Sequence, residues 1–244
     1  MGLDYLKDTS KFMKHQRYIL IALFSFVCYN SYSQVKPETL GGWYMYFWNT
    51  NIKKSNWGFQ GDIQYRNWNV AGDLEQLLLR GGLCYSPKES STKLTLGYAF
   101  ILSDVFGLQQ SKISQEHRIY QEALIKQSLG QRIHLNHRFR FEQRLVQYQK
   151  FRMRLRYNLF INIALNKAKM EKNTFYLALY NEIFINTAKD IGNGKSVEIF
   201  DRNRAYAALG YHILDQLKVQ LGYMYQSNNL YGKGQLQLSV HHTF

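Results

Sequence analysis

The stretch RIHLNHRFRFEQRL, residues 132–145, decides how the rest of the chain is read. Its even positions are Arg132, His134, Asn136, Arg138, Arg140, Glu142 and Arg144. Its odd positions are Ile133, Leu135, Phe139, Phe141 and Leu145, with His137 and Gln143 as the exceptions. Successive side chains of a strand point to opposite faces, whereas a helix would scatter these arginines around its axis. A period of two therefore predicts a strand with one cationic and one apolar face. The next segment, FRMRLRYNLFINI at 151–163, repeats the rule. Arg152, Arg154, Arg156, Asn158 and Asn162 fall on one face; Phe151, Met153, Leu155, Tyr157, Leu159, Ile161 and Ile163 fall on the other.

Working outward, the same alternation predicts strands at 41–52, 57–70, 73–86, 92–103, 114–129, 131–147, 150–165, 174–187, 200–213, 217–227 and 234–244. Soluble strands run to about 5–6 residues, and a tilted bilayer crossing needs about 9–11. Short turns at 86–90, 129–131 and 214–216 alternate with longer connections at 104–113 and 188–199, as when one rim faces a periplasm and the other the exterior. Composition agrees. Aromatic residues make up 16% of the chain and proline occurs twice, which suits long uninterrupted ladders because proline removes a ladder donor. The mean hydropathy of −0.39 excludes a helical membrane protein but not a barrel, whose strands are apolar only at alternate residues.

The N-terminus reads as an export signal. Lys14, His15 and Arg17 precede an apolar run at 18–28, and Ser31-Tyr32-Ser33 is a small-x-small cleavage site before Gln34. The run is shorter than the roughly 20 residues of a spanning helix. Met13 is a more natural initiator than Met1, so 1–33 is expected to comprise an upstream segment and a cleavable signal peptide, with 34–244 the mature barrel. Val27 before Cys28 argues against a lipoprotein. Cleavage leaves Cys84 alone, without an intramolecular disulfide or a cysteine-based metal site. The formal charge of +14 could suit nucleic acid, but an exported chain meets anionic lipid headgroups or anionic solutes instead.

Eleven segments raise a question of parity. A bacterial barrel with both ends in the periplasm needs an even number of strands, so about twelve are expected, with a further one near 35–40, or else ten. A secreted soluble barrel would alternate equally well. Strand length, aromatics near strand ends (Trp43, Tyr44, Trp48, Trp57, Trp68, Tyr85, Tyr148, Tyr223, Tyr225) and the lack of cysteine pairs favour the membrane. So does the last strand. Leu236, Leu238, Val240 and Phe244 share a face, and an alternating strand stopping at an aromatic resembles the signal read by the barrel-assembly machinery.

Three features carry a family resemblance: Gly41-Gly42-Trp43-Tyr44-Met45-Tyr46, then Gln60-Gly61-Asp62-Ile63-Gln64-Tyr65-Arg66, and the arginine-laced central hairpin. Together they resemble the uncharacterised outer-membrane family catalogued as domain of unknown function 2490, over nearly all of 35–244. The resemblance implies a barrel and supplies no catalytic residues.

Chemistry is sparse. Barrel hydrolases place a His two residues before a Ser on one face, and no His-x-Ser occurs; Ser239 and His241 give the reverse order without an evident acid. Glu198 and Asp201 near a loop mouth are ordinary acids. His134 and His137, three apart on a strand, face opposite ways and cannot share a metal. No cofactor or metal is expected. Gly192-x-Gly194 and Gly232-x-Gly234 read as turns rather than nucleotide loops.

What remains is the polar face: Arg66, Arg80, Arg118, Arg132, Arg138, Arg140, Arg144, Arg152, Arg154, Arg156, Arg202 and Arg204, against Asp62, Glu116, Glu122, Glu142 and Glu182. A midplane arginine facing lipid costs about 2–4 kcal/mol, so these belong inside or at the rims. The sequence thus predicts an all-β, antiparallel, up-and-down transmembrane barrel in a Gram-negative outer membrane, not an enzyme. It is either a structural, salt-bridged barrel or a passive pore whose arginines favour small anions. A lipid-modifying hydrolase and a barrel binding partners through its loops are the alternatives.

Overall fold

The computed structural model describes residues 40–104 and 113–244. The export signal expected over 1–33, the strand sought near 35–40 (Leu40 apart) and the tip of the 104–113 connection lie outside them. Among the described residues thirteen strands follow in chain order: β1 (Gly41–Asn51), β2 (Trp57–Asn67), β3 (Leu74–Tyr85), β4 (Thr92–Ser103), β5 (Ser114–Leu129), β6 (Ile133–Val146), β7 (Arg152–Ala164), β8 (Phe175–Asn186), β9 (Asp190–Gly192), β10 (Lys195–Ser196), β11 (Phe200–Leu214), β12 (Leu217–Ser227) and β13 (Gly232–Thr243). All but β9 and β10 form one closed barrel, in which each wall strand pairs antiparallel with the next. The short β9–β10 hairpin lies within the connection between β8 and β11 and stands outside the wall.

Every segment read from alternation enters the wall, and the expected count of about twelve becomes eleven. An odd ring of antiparallel neighbours must contain one parallel pair, and here it is the closing one: β1 runs parallel to β13, from Gly41 opposite Gln235 to Asn49 opposite Thr243. Because β1 and β13 bond directly, no further strand fits between them. Parallel closure also separates the two ends of the wall. Gly41 starts at one rim, shared with the β2–β3, β4–β5, β6–β7, β8–β11 and β12–β13 connections, and Phe244 finishes at the other. We refer to these as the Gly41 rim and the Phe244 rim.

Alternation sets what each face carries. Outside, Leu96 is 58% and Leu221 62% exposed, in company with Ile63, Leu79, Leu83, Tyr98, Ile119, Phe139, Leu155, Leu209 and Leu238. Inside, Glu142 is 1% exposed, and Arg118, Arg140, Arg154, Arg156 and Glu182 are likewise buried. A water-soluble fold does the reverse, since apolar area in water costs about 25 cal/mol per Å².

Two apolar clusters interrupt the polar interior. One joins Trp43, Tyr176, Ala178, Tyr206, Ala208 and Met224; the other joins Leu78, Ala99, Ile101 and Tyr120. Both depend on inner glycines. Gly97 pairs with Tyr120 and Gly210 with Tyr176, and a Cβ on either glycine would lie 2.2 Å from its partner's ring. The tyrosines lie across their neighbouring strands only because nothing projects there.

Candidate functional site: a charged interior with two unlike ends

From the Gly41 rim to mid-barrel, the inner face is a web of arginines and carboxylates placed by strand parity. Nearest the rim, Glu116 receives Arg118 at 2.6 and 2.8 Å and Arg144 at 2.5 and 3.0 Å, each through a two-pronged guanidinium contact. Glu142 is the hub. It accepts Arg154 at 2.6 and 3.0 Å and Arg156 at 2.5 Å, with Arg118 at 3.8 Å and Arg140 at 3.9 Å. Glu182 accepts Arg156 at 2.6 Å and Arg138 at 2.7 Å, with Arg204 at 3.8 Å. Glu122 holds Arg140, and Asp62 holds Arg80 at 2.9 Å. Forked N–H···O contacts of this kind fix geometry as well as charge.

Some arginines have other seats. Arg66 lies 3.8 Å from the centroid of the Trp43 ring and donates to Gln64 and Gln76. Arg204 sits between Trp43 and Phe184, 4.9 and 4.7 Å from their centroids, and donates to Gln226 at 2.8 Å. Arg202 shares Asp201 with Arg154, at 3.2 and 2.7 Å. Arg152 is buried directly across from Arg144, and its Nε makes no hydrogen bond. Arg132 departs from the sequence expectation: it is exposed in the β5–β6 turn, where it donates to the Leu165 carbonyl. Its turn position, beyond the ladder, frees it from the inner face.

Residues 40–237 match the model of a family described as "Protein of unknown function (DUF2490)". The chain belongs to the DUF2490 family. No curated protein and no solved structure matches it. The matched stretch takes in all eleven arginines of the inner face from Arg66 to Arg204 and stops before Leu238, Val240 and Phe244.

The Phe244 end of this DUF2490 barrel is built differently. His212, Lys218 and His241 are direct cross-strand neighbours on β11, β12 and β13. His241 stacks on Phe47 of β1, with centroids 4.8 Å apart, and its Nε2 lies 3.0 Å from Ser239 Oγ. Ser239 and His241 thus touch, as their spacing allows. No carboxylate orients the imidazole among the described residues, and the pair lacks the third member of a hydrolytic triad. His212 is 7% exposed and packs edge-on against Tyr176, and its ring has no side-chain hydrogen-bond partner, only the Leu214 backbone being within reach. The Lys218 ammonium has no ion-pair partner among the described residues and lies 6.0 Å from the centroid of the Tyr176 ring. Lys126, exposed at the same rim, is a charged neighbour of both Lys218 and Lys93. Lys93 donates to Gln60 at 2.5 Å, and Gln60 in turn to Glu122 at 3.1 Å. The carboxylates of this rim, Glu89, Glu171 and Asp215, are exposed in the turns.

Sequence reasoning missed this cluster because its members sit on separate strands, one or two to each. Parity alone would have found them, since Lys93, Lys126, Lys218, His212 and His241 all take inward positions. The two histidines of β6 behave as their spacing requires: His134 reaches Ser128 Oγ at 3.1 Å, and His137 on the opposite face meets Tyr157 Oη at 2.9 Å. Outside the wall, the β9–β10 hairpin is tied to the β6–β7 turn by Lys150 and Asp190, 2.5 Å apart. That hydrogen bond, with one from the Gly192 N–H, holds the Asp190 carboxyl below its ordinary range.

Proposed function

We propose that this is an integral barrel of a Gram-negative outer membrane, exported by a cleaved signal peptide, whose interior is a structural ion-paired filling rather than an open water path. One observation carries the reading: the wall turns leucine, isoleucine, phenylalanine and tyrosine outward and encloses arginine and glutamate. In hydrocarbon that arrangement is favourable on both faces, because closure satisfies every wall strand's ladder and most of the inward charges are paired with one another. The connections favour an orientation with the Phe244 rim toward the periplasm, since 187–199 and 104–113 open at the Gly41 rim. Leu236, Leu238, Val240 and Phe244 supply the outer face that the barrel-assembly machinery would meet, and outer-membrane lipid is the lasting partner.

The structural role is favoured over the anion pore because the central carboxylates each bind two or more arginines. The excess of arginine over carboxylate is the observation on the pore's side. Fractionation tests the membrane reading: the protein is expected in the outer-membrane fraction, resistant to alkaline extraction and slower-migrating after boiling, and recovery from the soluble periplasm would overturn it. Planar bilayers separate filling from pore. The filled barrel gives no conductance steps. Anion-preferring steps that weaken when Arg152, Arg154 and Arg156 are neutralised together would establish the pore.

A further inference from the structure

The interior carries more positive charge than its carboxylates balance, and at one end the cations stand with no inner-face carboxylate beside them among the described residues. Around Glu116, Glu142 and Glu182 all the guanidinium groups but that of Arg152 touch a carboxylate or an aromatic face. Toward the Phe244 rim the inner face continues through Lys218, His212, His241, Ser239 and Lys126, with no carboxylate among the described residues below Glu122. Glu122 itself is occupied by Arg140, Arg138 and Gln60. A half-buried ammonium without a counter-charge is costly, and a buried imidazole without a side-chain partner adds a desolvation cost of its own.

The three cross-strand neighbours project to the inner face side by side. Lys218 sits between His212 and His241, so donors from β11, β12 and β13 converge from adjacent strands, with the Ser239 hydroxyl against His241. Tyr176 and Phe47 wall the group on either side. Lysine serves anionic oxygens as a compact point charge with three donors, and flanking imidazole and hydroxyl groups supply directed hydrogen bonds. Half-exposure of Lys218 and His241 keeps the group open to solutes entering from the rim.

We propose that the barrel mouth at the Phe244 rim binds a phosphate-type oxyanion, with Lys218 as the charged anchor and His212, His241 and Ser239 as hydrogen-bonding groups around it. The inference goes beyond the membrane reading and stands on the barrel alone, so it can be tested in detergent whatever the protein's location. A free phosphate and a lipid phosphate headgroup share the required chemistry.

Calorimetric titration of the full chain in zwitterionic micelles with inorganic pyrophosphate, at ionic strength fixed by chloride, tests the site. Saturable binding to one site is expected, weakened at least tenfold in Lys218→Gln and unchanged in Lys195→Gln, whose lysine lies on the hairpin at the other end. His241→Gln, which keeps a hydrogen-bonding side chain, should weaken binding less than Lys218→Gln. Heat-modifiable migration of each variant establishes that the barrel has formed. Displacement of pyrophosphate by short-chain phosphatidylglycerol, but not phosphatidylcholine, identifies a lipid headgroup as the source; no displacement by either identifies a free anion. Absence of binding to the wild-type barrel, or binding by folded Lys218→Gln as tight as wild type, overturns the proposal.

Discussion

Near the Gly41 rim, Arg118 and Arg144 close on Glu116, and Arg154 bridges Glu142 and Asp201. Near the Phe244 rim, Lys218 stands between two histidines and meets no carboxylate. Both regions lie on the inner face of one sheet and obey the same alternation, so strand parity is not what separates them. They differ in side-chain chemistry. Guanidinium groups reach carboxylates two-pronged, which compensates the cost of enclosing both charges. An ammonium offers no such fork, and its neighbours here are neutral or cationic. The paired half is therefore a filling that resists change, and the unpaired mouth is a place where an anion improves the local balance.

The most severe way to break the comparison is to remove the hub of the paired half. Glu142→Gln removes the charge that Arg154 and Arg156 share and leaves them one acceptor oxygen between them, with an amide NH2 facing a guanidinium, and breaking a buried pair from one side costs about 3–5 kcal/mol. Urea unfolding in lipid vesicles, followed by tryptophan fluorescence, is expected to show a loss of that size. A loss under about 1 kcal/mol would mean that water already screens the network, and the filled-barrel reading would fall with it.

The mouth should answer in the opposite direction. Lys218→Met replaces an unpaired ammonium with an apolar chain of similar length, and the same unfolding assay is expected to show neutral or increased stability, by about 1 kcal/mol. A clear loss would reveal a counter-charge for Lys218 and remove the contrast between the two ends. A subtler change makes the mouth resemble the other half. Gln220 lies two residues along β12 from Lys218 on the same face, and Gln220→Glu supplies the missing carboxylate. A gain of at most about 1 kcal/mol is expected from this half-buried pair, because the amide bond from Gln220 to Tyr176 is given up, together with loss of pyrophosphate binding. Retained binding would place the anion elsewhere.

How much of this was legible follows from where the information resides. Parity is local, so the alternation of 132–145 and 151–163 was enough to put Arg138, Arg140, Arg144, Arg152, Arg154 and Arg156 on one face with Glu142. The closing of β1 on β13 was not legible. Whether two strands pair parallel or antiparallel depends on where their ends meet in space, and the even count expected from both ends sharing one side could not foresee a parallel seam. The seats of Arg66 and Arg204 on Trp43 were hidden for the same reason, since β1, β2 and β11 are far apart in the chain. The mouth was hidden differently: a lysine or histidine every few dozen residues carries no pattern until the barrel gathers them.

The exposed end of the scale is the Lys150–Asp190 pair, which ties the β9–β10 hairpin to the β6–β7 turn in full contact with solvent. Its carboxyl is held below the ordinary aspartate range by the Lys150 hydrogen bond and the Gly192 N–H. A depressed folded value means that the contact stabilises docking above the unfolded aspartate range and is lost as pH falls through the lowered folded value. Amide exchange at Lys150, whose N–H donates to the Ile191 carbonyl at 2.8 Å, reads the docking directly. Protection beyond that given by unpaired turns is expected at neutral pH and should decline only in acid below the usual aspartate midpoint. In Asp190→Asn the protection should be weaker and independent of pH over the same interval. Because salt screens an exposed pair and leaves a buried one nearly untouched, added chloride should loosen this hairpin while the Glu142 network keeps its stability. If chloride weakened both alike, the interior would be wet, and the division into a paired filling and an open mouth would have to be abandoned.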